Sequence, residues 1–379
     1  MTEKYRAKIR SAKRVVIKIG SQALVDESGG MDLRVFDDLA SAVAELTQAG
    51  KEVVMVSSGA IASGLKLLGR KKASLTLPEK QAVASLGQPL LMRNYERAFS
   101  PHKILCGQAL LTHEDFSIRP RYLHSRNTLE QMLKLRILPV INENDAVAVE
   151  EIKFGDNDRL AALVAAMLQA DLLVILSVAP GLCDRDPLRY PDAKVIPVVK
   201  ESHGKLYECV DESKSELGSG GMTSKLLAAG IAGAAGIMTF IGSGKDSGVL
   251  PKLFEGKIVG TLILPEREKL SGMKHWLLFA GKPRGEIFID RGAVRALVER
   301  KKSLLPSGVL EVKGKFLSGE MVRVVDEQGR EVARGLVNFG AYDLKQIKGL
   351  HTDKIAEILG SRDYEEVIHR DNLVISGER

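Results

Sequence analysis

A glycine-rich segment that ends in a lysine, Gly218-Ser-Gly-Gly-Met-Thr-Ser-Lys225, carries the clearest chemical signal in the sequence. It joins a loop to a predicted helix N-terminus, where unpaired backbone amides and the helix dipole attract anions. The lysine adds the positive charge that a triphosphate needs. The P-loop pattern and the dinucleotide fingerprint both fail, since Asp246 follows Gly244-Lys245 and Thr223 replaces the last glycine. We interpret the segment as a nucleotide phosphate loop, with a flexible surface loop as the alternative.

Lys18 is the second candidate, because it interrupts an apolar run, Arg14-Val-Val-Ile-Lys-Ile19, that reads as a buried strand. Burying a lysine costs free energy unless the ammonium group is paired or reaches a binding site. We therefore interpret Lys18 as part of the same phosphate site. The alternative is an edge lysine on the solvent face of its strand.

Three further polar segments follow predicted strands or open predicted helices: Ser57-Ser-Gly-Ala-Ile-Ala-Ser-Gly64, Asn142-Glu-Asn-Asp145 and Gly155-Asp-Asn-Asp158. The first offers backbone amides to an anion. In the other two, carboxylates can hold a lysine or a metal ion, and amides can hold the charged groups of an amino acid. Ordinary turn and helix-start chemistry is the alternative for each segment.

The elements that must position these residues alternate along the chain. We predict strands at 14–19, 52–57, 103–111, 137–141, 171–177 and 237–241, and helices at 32–49, 79–99, 121–135, 158–170 and 222–236. Such alternation predicts an α/β fold with a mainly parallel sheet and helices on both faces. Ligands of such sheets gather at the carboxyl ends of the strands, where the polar segments lie.

The pattern of predicted secondary structure changes after about residue 275. Short strand-like runs at 286–290, 309–313, 321–325 and 332–336 are separated by turns, with a helix predicted at 291–300. We predict a small β-rich, barrel-like domain at 280–379 after a first domain at 1–270, with the boundary between 265 and 280. A chain of 379 residues is long enough for two domains.

Composition excludes several classes of protein. Hydrophobic residues make up 45% and charged residues 27%, which is typical of globular proteins, and no apolar run resembles a membrane span or signal peptide. We therefore expect a cytoplasmic protein. Much of the net charge of +7 comes from residues 1–14. We interpret this segment as a solvated arm or first helical turn rather than a transit peptide. Three cysteines, Cys106, Cys183 and Cys209, are expected to be reduced.

These motifs together resemble the glutamate 5-kinase family of the amino-acid-kinase superfamily, over nearly the whole chain. The signature stretches appear as Val16-Ile-Lys-Ile-Gly-Ser21, Ser57–Gly64, Pro139-Val-Ile-Asn-Glu-Asn-Asp-Ala146, Gly155–Asp158 and Gly218–Lys225. The resemblance implies an αβα sandwich kinase domain, a PUA domain from about residue 280, and glutamate, ATP and Mg²⁺ as ligands. It also implies the first step of proline biosynthesis.

The resemblance also implies roles for individual residues. Lys18 and Lys225 would contact the ATP phosphates, and Asp158 would orient the two lysines. Glutamate would be bound by Ser58, Asp145 and Asn157. The remaining ATP-binding residues would be Ser177, Val178, Ser219, Gly220, Gly221, Met222, Thr223 and Ser224.

One stretch departs from the family. A strand end that usually reads Thr-Asp, followed by Gly-Leu-Tyr, appears here as Ser177-Val-Ala-Pro-Gly-Leu-Cys183. The serine keeps a hydroxyl group, but Val178 lacks a carboxylate and Cys183 lacks an aromatic ring. We expect altered contacts with the nucleotide base, and intact catalysis.

The resemblance also suggests partners for the protein, and other functions remain as alternatives. We expect a homo-oligomer that hands its unstable acyl phosphate product to glutamate-5-semialdehyde dehydrogenase and is inhibited by proline. The rival kinases act on acetylglutamate, aspartate or carbamate. RNA binding through the PUA domain is a rival of another class, although the nearly balanced charge of residues 281–379 gives it little electrostatic support.

Overall fold

The chain divides into two units in the computed structural model. One unit covers residues 1–115 and 120–270, and the other covers 116–119 and 271–379. The structure describes residues 3–26, 28–70, 75–112, 114–147, 157–185, 187, 190, 192–200, 221–257, 259–265, 283–359 and 364–376. Every structural statement below concerns these residues.

Strands and helices alternate up to residue 265. The strands are β1 (Arg14–Ile19), β2 (Glu52–Ser57), β3 (Leu105–Leu111), β4 (Ile137–Glu143), β5 (Leu172–Ser177), β6 (Val198–Lys200), β7 (Met238–Ser243) and β8 (Gly260–Leu264). The helices are α1 (Glu3–Ser11), α2 (Ser21–Leu24), α3 (Leu33–Gln48), α4 (Ala60–Leu67), α5 (Leu77–Phe99), α6 (Glu114–Ser117), α7 (Arg119–Lys134), α8 (Asn157–Met167), α9 (Met222–Ala234) and α10 (Val249–Phe254).

The strands of the first unit form one sheet in the order β3-β4-β2-β1-β5-β7-β8-β6 among the described residues. Every neighbouring pair is parallel except β7 and β8, which run antiparallel. This confirms the predicted fold class. The sequence analysis missed β6 and β8, because β6 has three residues and β8 follows only a short helix.

The central strand β1 shows why the sheet must be covered on both faces. Val15, Ile17 and Ile19 join a core with α3 residues such as Phe36. The residues between them, Val16 and Lys18, are also buried, and they point to the opposite face because strand side chains alternate. Helix α8 packs against β1 without contributing to that first core, so it covers the face to which Lys18 belongs.

The predicted solvated arm is a full helix, α1, which buries Ile9. Three of the six basic side chains in residues 1–14, those of Lys4, Lys8 and Arg10, lie on exposed positions of this helix. Among the described helices, none is long and apolar enough to cross a membrane. Cys106 and Cys183 form no disulfide among the described residues, and burial raises the pKa of the Cys106 thiol to about 12. Cys209 lies outside the described residues.

Two glycines let helices α4 and α5 approach closely. A Cβ atom on Gly64 would lie 2.1 Å from the Val83 carbonyl oxygen, and one on Gly87 would lie 1.8 Å from the Ala60 carbonyl oxygen. No side chain fits at such distances without a backbone shift. The crossing therefore holds the middle of α5 against the beginning of α4, which directly follows Ser58.

The second unit has a separate core and a five-stranded sheet, in the order β10-β9-β11-β12-β13. Strands β9 and β11 are parallel and the other pairs are antiparallel. The elements are β9 (Gly285–Ile289), α11 (Arg291–Val298), β10 (Val309–Gly314), β11 (Met321–Val325), β12 (Glu331–Leu336), α12 (Ala341–Ile347), α13 (Ile355–Leu359) and β13 (Leu373–Ile375). The four predicted strands and the predicted helix are all present.

Gly87→Ala tests the helix crossing. Because the new methyl group meets backbone atoms of α4, we expect a loss of about 1–3 kcal/mol in the free energy of unfolding, measured by urea denaturation. Ser85→Ala changes an exposed position of the same helix and is expected to cost under about 0.5 kcal/mol. Equal stability of the two variants would contradict the close crossing.

Candidate active site

Lys18 lies near the carboxyl end of β1, between β2 and β5. Its side chain is buried, with the whole residue 5% exposed, and its ammonium group forms an ion pair with Oδ1 of Asp158. A Cβ atom on Gly20 would lie 3.6 Å from Lys18 Nζ, so the turn after β1 passes beside the ammonium group. Lys18 is therefore a paired, buried lysine and not an edge lysine on a solvent face.

Asp158 is the centre of the site. It is the second residue of α8 and has no exposed surface. Its Oδ2 lies 3.2 Å from Lys225 Nζ and accepts a hydrogen bond of 2.8 Å from Ser224 Oγ. Burial works to raise the pKa of this carboxyl group, but Lys18 and Lys225 outweigh burial, so the pKa is lowered. We call Lys18, Asp158 and Lys225 the triad.

Lys225 stands in the first turn of α9 and is 4% exposed. Gly221, the residue that caps this helix, accepts a hydrogen bond of 3.0 Å from Ser224 Oγ through its carbonyl oxygen. A Cβ atom on Gly221 would meet no described atom within 4 Å. The helix N-terminus therefore borders open space, as an anion site requires.

The predicted nucleotide loop is only partly described. Ser219 and Gly220 lie outside the described residues. Of the remaining members, Gly221 and Met222 are half-buried, Thr223 is exposed, and Ser224 contacts Asp158. The described part of the loop thus brings one hydroxyl group and one ammonium group to the central carboxylate.

Asn157 connects the triad to a second group of predicted residues. Its Nδ2 donates to the carbonyl oxygen of Ser57 at 2.9 Å, to Ser58 Oγ at 2.8 Å and to Asn142 Oδ1 at 3.0 Å. Because Asn157 and Asp158 are consecutive in α8, this amide cluster lies next to the triad. The structure therefore brings Ser58 and Asn157 together, as predicted.

The other end of the Asn157 amide is unpaired. Its Oδ1 atom is buried and has no hydrogen-bond partner among the described residues. A buried acceptor without a donor costs about 1–3 kcal/mol. A ligand that donates an N–H or O–H group to Asn157 Oδ1 would remove this cost.

Asp145 lies just beyond the end of β4 and is half-buried. It has no hydrogen bond or ion pair within the described part of the chain, and desolvation raises the pKa of its carboxyl group to about 6. A carboxyl group whose pKa is shifted this far by desolvation is a candidate functional residue. The structure does not link Asp145 directly to the amide cluster.

Three residues of this region escaped the sequence analysis. Gln88 accepts a hydrogen bond of 2.8 Å from Asn142 Nδ2 and donates one of 3.1 Å to Gln108 Oε1. Tyr95 forms a hydrogen bond of 2.7 Å with Ser57 Oγ. The available signal was a glutamine and a tyrosine on the buried face of α5, where polar groups must find partners.

Ser177 and Val178 end the strand that departs from the family. Ser177 is buried, and its Oγ accepts a hydrogen bond of 3.2 Å from the Ala179 amide, which closes a turn. The Val178 side chain is 52% exposed. An assignment of either residue to ATP binding remains a prediction.

The described residues do not provide a metal site made of protein ligands alone. No group of three or more His, Cys, Asp or Glu side chains in the described ranges is arranged to hold a metal ion. Asp158, the carboxylate at the centre, is already neutralised by two lysines. Among the described residues, the central carboxylate is therefore held by the two lysines and is not free to bind Mg²⁺ directly.

Comparison with known families defines the class of protein. The model of the amino acid kinase family matches residues 13–243, and the model of the PUA domain matches residues 285–359. A carbamate kinase from Giardia lamblia, 21% identical, covers 68% of this chain and all of its own length with a TM-score of 0.48. The two family models show that the chain belongs to the amino acid kinase family and carries a PUA domain, and ATP use follows from this class.

Curated relatives define the family more narrowly. A glutamate 5-kinase from Thermus thermophilus is 48% identical over 97% of this chain and 98% of its own length. One from Caldanaerobacter subterraneus is 46% identical over 96% of this chain and 97% of its own length. The chain therefore belongs to the glutamate 5-kinase family.

Replacing the central carboxylate tests the electrostatics of the triad. Asp158→Asn leaves two buried ammonium groups without a counter-charge, so we expect a loss of about 3–5 kcal/mol in the free energy of unfolding at pH 7. Since the folded pKa is lowered, this difference is full above about pH 4 and shrinks as the pH falls through the folded pKa.

Asp246→Asn is the matched control, because Asp246 pairs with Lys252 at 3.4 Å on the surface. Its cost is expected to stay below about 1 kcal/mol. Urea denaturation of both variants between pH 3 and 7 makes the comparison. A surface-like cost for Asp158→Asn would contradict the buried ion pairs.

Proposed function

We propose that this chain uses ATP to phosphorylate the side-chain carboxylate of L-glutamate, forming γ-glutamyl phosphate and ADP. The observation that carries the proposal is the triad, in which one buried aspartate holds two lysines beside a helix N-terminus. The substrate is taken from the name shared by the relatives, which match nearly the full chain. A transferase of this kind belongs to proline biosynthesis.

The chemistry requires positioning more than proton transfer. The glutamate side-chain carboxylate has an ordinary pKa near 4.3 and is ionised at pH 7, so it attacks without a general base. A bond forms between its oxygen and the γ-phosphorus atom while the bond to the bridging oxygen of ADP breaks. The electron pair leaves with ADP, and the protein must compensate negative charge along this path.

The triad supplies that compensation. Lys18 and Lys225 contact the transferring phosphoryl group from β1 and α9, and their charges are worth more in a buried site than in water. Asp158 pairs with both lysines and holds them in place. The rest of the nucleotide contacts come from residues 219–224, with Ser177 and Val178 near the base.

Glutamate binds on the side of Asn157. Its ammonium group donates to the unpaired Asn157 Oδ1 and pairs with Asp145, while Ser58 Oγ and the start of α4 contact a carboxylate. This arrangement is supported by Asn157 Oδ1 and the Asp145 carboxylate, which have no protein partner among the described residues. It leaves the side-chain carboxylate free to face the triad.

Mg²⁺ would bind together with ATP. Since Asp158 is occupied by the lysines, the ion would be bound mainly by the phosphate oxygens, where it neutralises charge. No catalytic step is assigned to it here.

The proposal also covers the domain organisation, the oligomeric state, the fate of the product and inhibition by proline. We place the catalytic domain at 1–270 and the PUA domain at 280–379, in a cytoplasmic homo-oligomer. The acyl phosphate is prone to hydrolysis and cyclisation, which favours its transfer to glutamate-5-semialdehyde dehydrogenase. Proline would inhibit the first step of its own synthesis, and added proline at millimolar levels tests this in the activity assay.

A coupled assay of ADP release tests the function. Release must depend on L-glutamate and exceed release with acetylglutamate, aspartate or carbamate by at least about tenfold in kcat/KM. A preference for one of the other acids would identify a different kinase of the same superfamily.

Lys225→Ala tests the triad in catalysis. The variant loses charge that acts on the transferring phosphoryl group, so we expect kcat to fall by about a hundredfold or more, while the KM for glutamate changes only a few-fold. Steady-state kinetics with thermal unfolding as a fold check gives the result. An unchanged kcat would remove Lys225 from the mechanism. Lys245→Ala, an exposed lysine after β7, is the matched control.

Asp145 predicts a pH dependence. Its carboxyl group, with a pKa of about 6, must be ionised to pair with the ammonium group, so kcat/KM for glutamate should fall about tenfold per pH unit below 6. Asp145→Asn should lower kcat/KM and remove this dependence between pH 5 and 7. A variant that keeps the parent's pH profile would show that another group titrates.

A further inference from the structure

We infer that Gln88 is a positioning residue for the substrate, acting through Asn142 on Asn157. The inference rests on the proposed binding of glutamate by Asn157, and it concerns a helix, α5, that carries none of the predicted site residues. Gln88 is buried in the middle of that helix and reaches the end of β4 with its side chain.

The amide groups form a chain with one direction. Asn157 Nδ2 donates to Asn142 Oδ1 at 3.0 Å, Asn142 Nδ2 donates to Gln88 Oε1 at 2.8 Å, and Gln88 Nε2 donates to Gln108 Oε1 at 3.1 Å. Each nitrogen faces an oxygen. Reversal of any one inner amide would bring two N–H groups or two oxygens together and leave buried groups unpaired.

Gln88 determines how the Asn142 side chain is turned. Asn142 is 2% exposed, and Gln88 is the acceptor for its Nδ2 group. The opposite end of the same side chain, Oδ1, accepts from Asn157 Nδ2 and from the Glu143 amide at 2.9 Å. Without Gln88, Asn142 must leave its nitrogen unpaired or rotate away from Asn157.

The consequence for the substrate lies at Asn157 Oδ1. The contacts of Nδ2 turn the Asn157 amide so that its oxygen has no partner among the residues that the structure describes. Asn142 supplies one of these contacts, and the Ser57 carbonyl oxygen and Ser58 Oγ supply the others. Loss of the Gln88 contact therefore weakens the orientation of Asn157 without abolishing it.

The close crossing of α4 and α5 explains why Gln88 can orient the amide cluster. Gly87, its neighbour, lies so close to the Ala60 carbonyl oxygen that a Cβ atom would be 1.8 Å away. This contact holds α5 against the start of α4, directly after Ser58. The position of Gln88 relative to the amide cluster is thus set by backbone packing and not by a flexible loop.

Gln88→Met tests the inference, because methionine keeps the length of the side chain and removes both hydrogen bonds. We expect the KM for glutamate to rise roughly five- to thirtyfold, with kcat within about threefold and the KM for ATP within about twofold of the parent. A folded Gln88→Met variant with an unchanged KM for glutamate would overturn the inference.

Two further variants separate positioning from general packing. Gln108→Met removes the outer, exposed end of the chain and should leave the KM for glutamate within about twofold. Gln88→Glu keeps an oxygen that accepts from Asn142 in either protonation state, so its KM should stay within about threefold of the parent. The inference would be contradicted if Gln108→Met raised the KM for glutamate as much as Gln88→Met does, or if Gln88→Glu raised that KM tenfold. The Gln88→Glu result decides the matter if Gln88→Met does not fold.

The substrate preference of the parent enzyme tests the proposed function independently of the role of Gln88. If the parent phosphorylates an acid other than glutamate, the proposed function fails, and the same KM comparison is made with that acid. A KM unchanged by Gln88→Met would then still overturn the role of Gln88.

Discussion

The ion pairs of Asp158 with Lys18 and Lys225 are the interaction on which the site depends. Each lysine would be costly to bury alone, and a buried aspartate would be costly as well. Together they leave one net positive charge in a dry position, which suits an anionic phosphoryl group. Because the three residues come from β1, α8 and α9, the charge cluster also requires the central strands and the two helices to be correctly packed.

The same helix start joins two kinds of chemistry. Asp158 faces the lysines, whereas its neighbour Asn157 faces the amide cluster with Ser58 and Asn142. A small rotation of α8 would disturb both groups at once. The first turn of α8 thus couples the phosphate side of the site to the substrate side through the backbone, with no flexible connection between them.

Much of this arrangement could be predicted from the sequence, for local reasons. Lys18 was recognisable because a lysine is unusual within an apolar strand, and Lys225 because it follows a glycine loop at a helix start. The alternating pattern of strands and helices indicated the parallel sheet. Residue roles came mainly from the family resemblance, since spacing alone left Asp158 open as an ordinary helix start.

Other features depend on contacts between distant segments and could not be read locally. Gln88 looks like any polar residue of a long helix until α5, β4 and α8 are packed together. Residues 1–14 were expected to form a solvated arm or a first helical turn. The full helix α1 could not be predicted locally, because its burial of Ile9 depends on the rest of the first unit. At Ser177 and Val178 the sequence departs from its family. The structure shows that Ser177 Oγ accepts a hydrogen bond from the Ala179 amide, and the contacts of both residues with the nucleotide remain a prediction.

The central claim is that Lys18 and Lys225 act as one unit around Asp158, and a double-mutant cycle on kcat tests it most directly. Lys18→Met, Lys225→Met and the double variant would be compared with the parent under saturating glutamate and ATP. Groups that act together are strongly non-additive, so the double variant should have a kcat within about threefold of the slower single variant. A double variant whose loss equals the product of the two single losses would contradict the account.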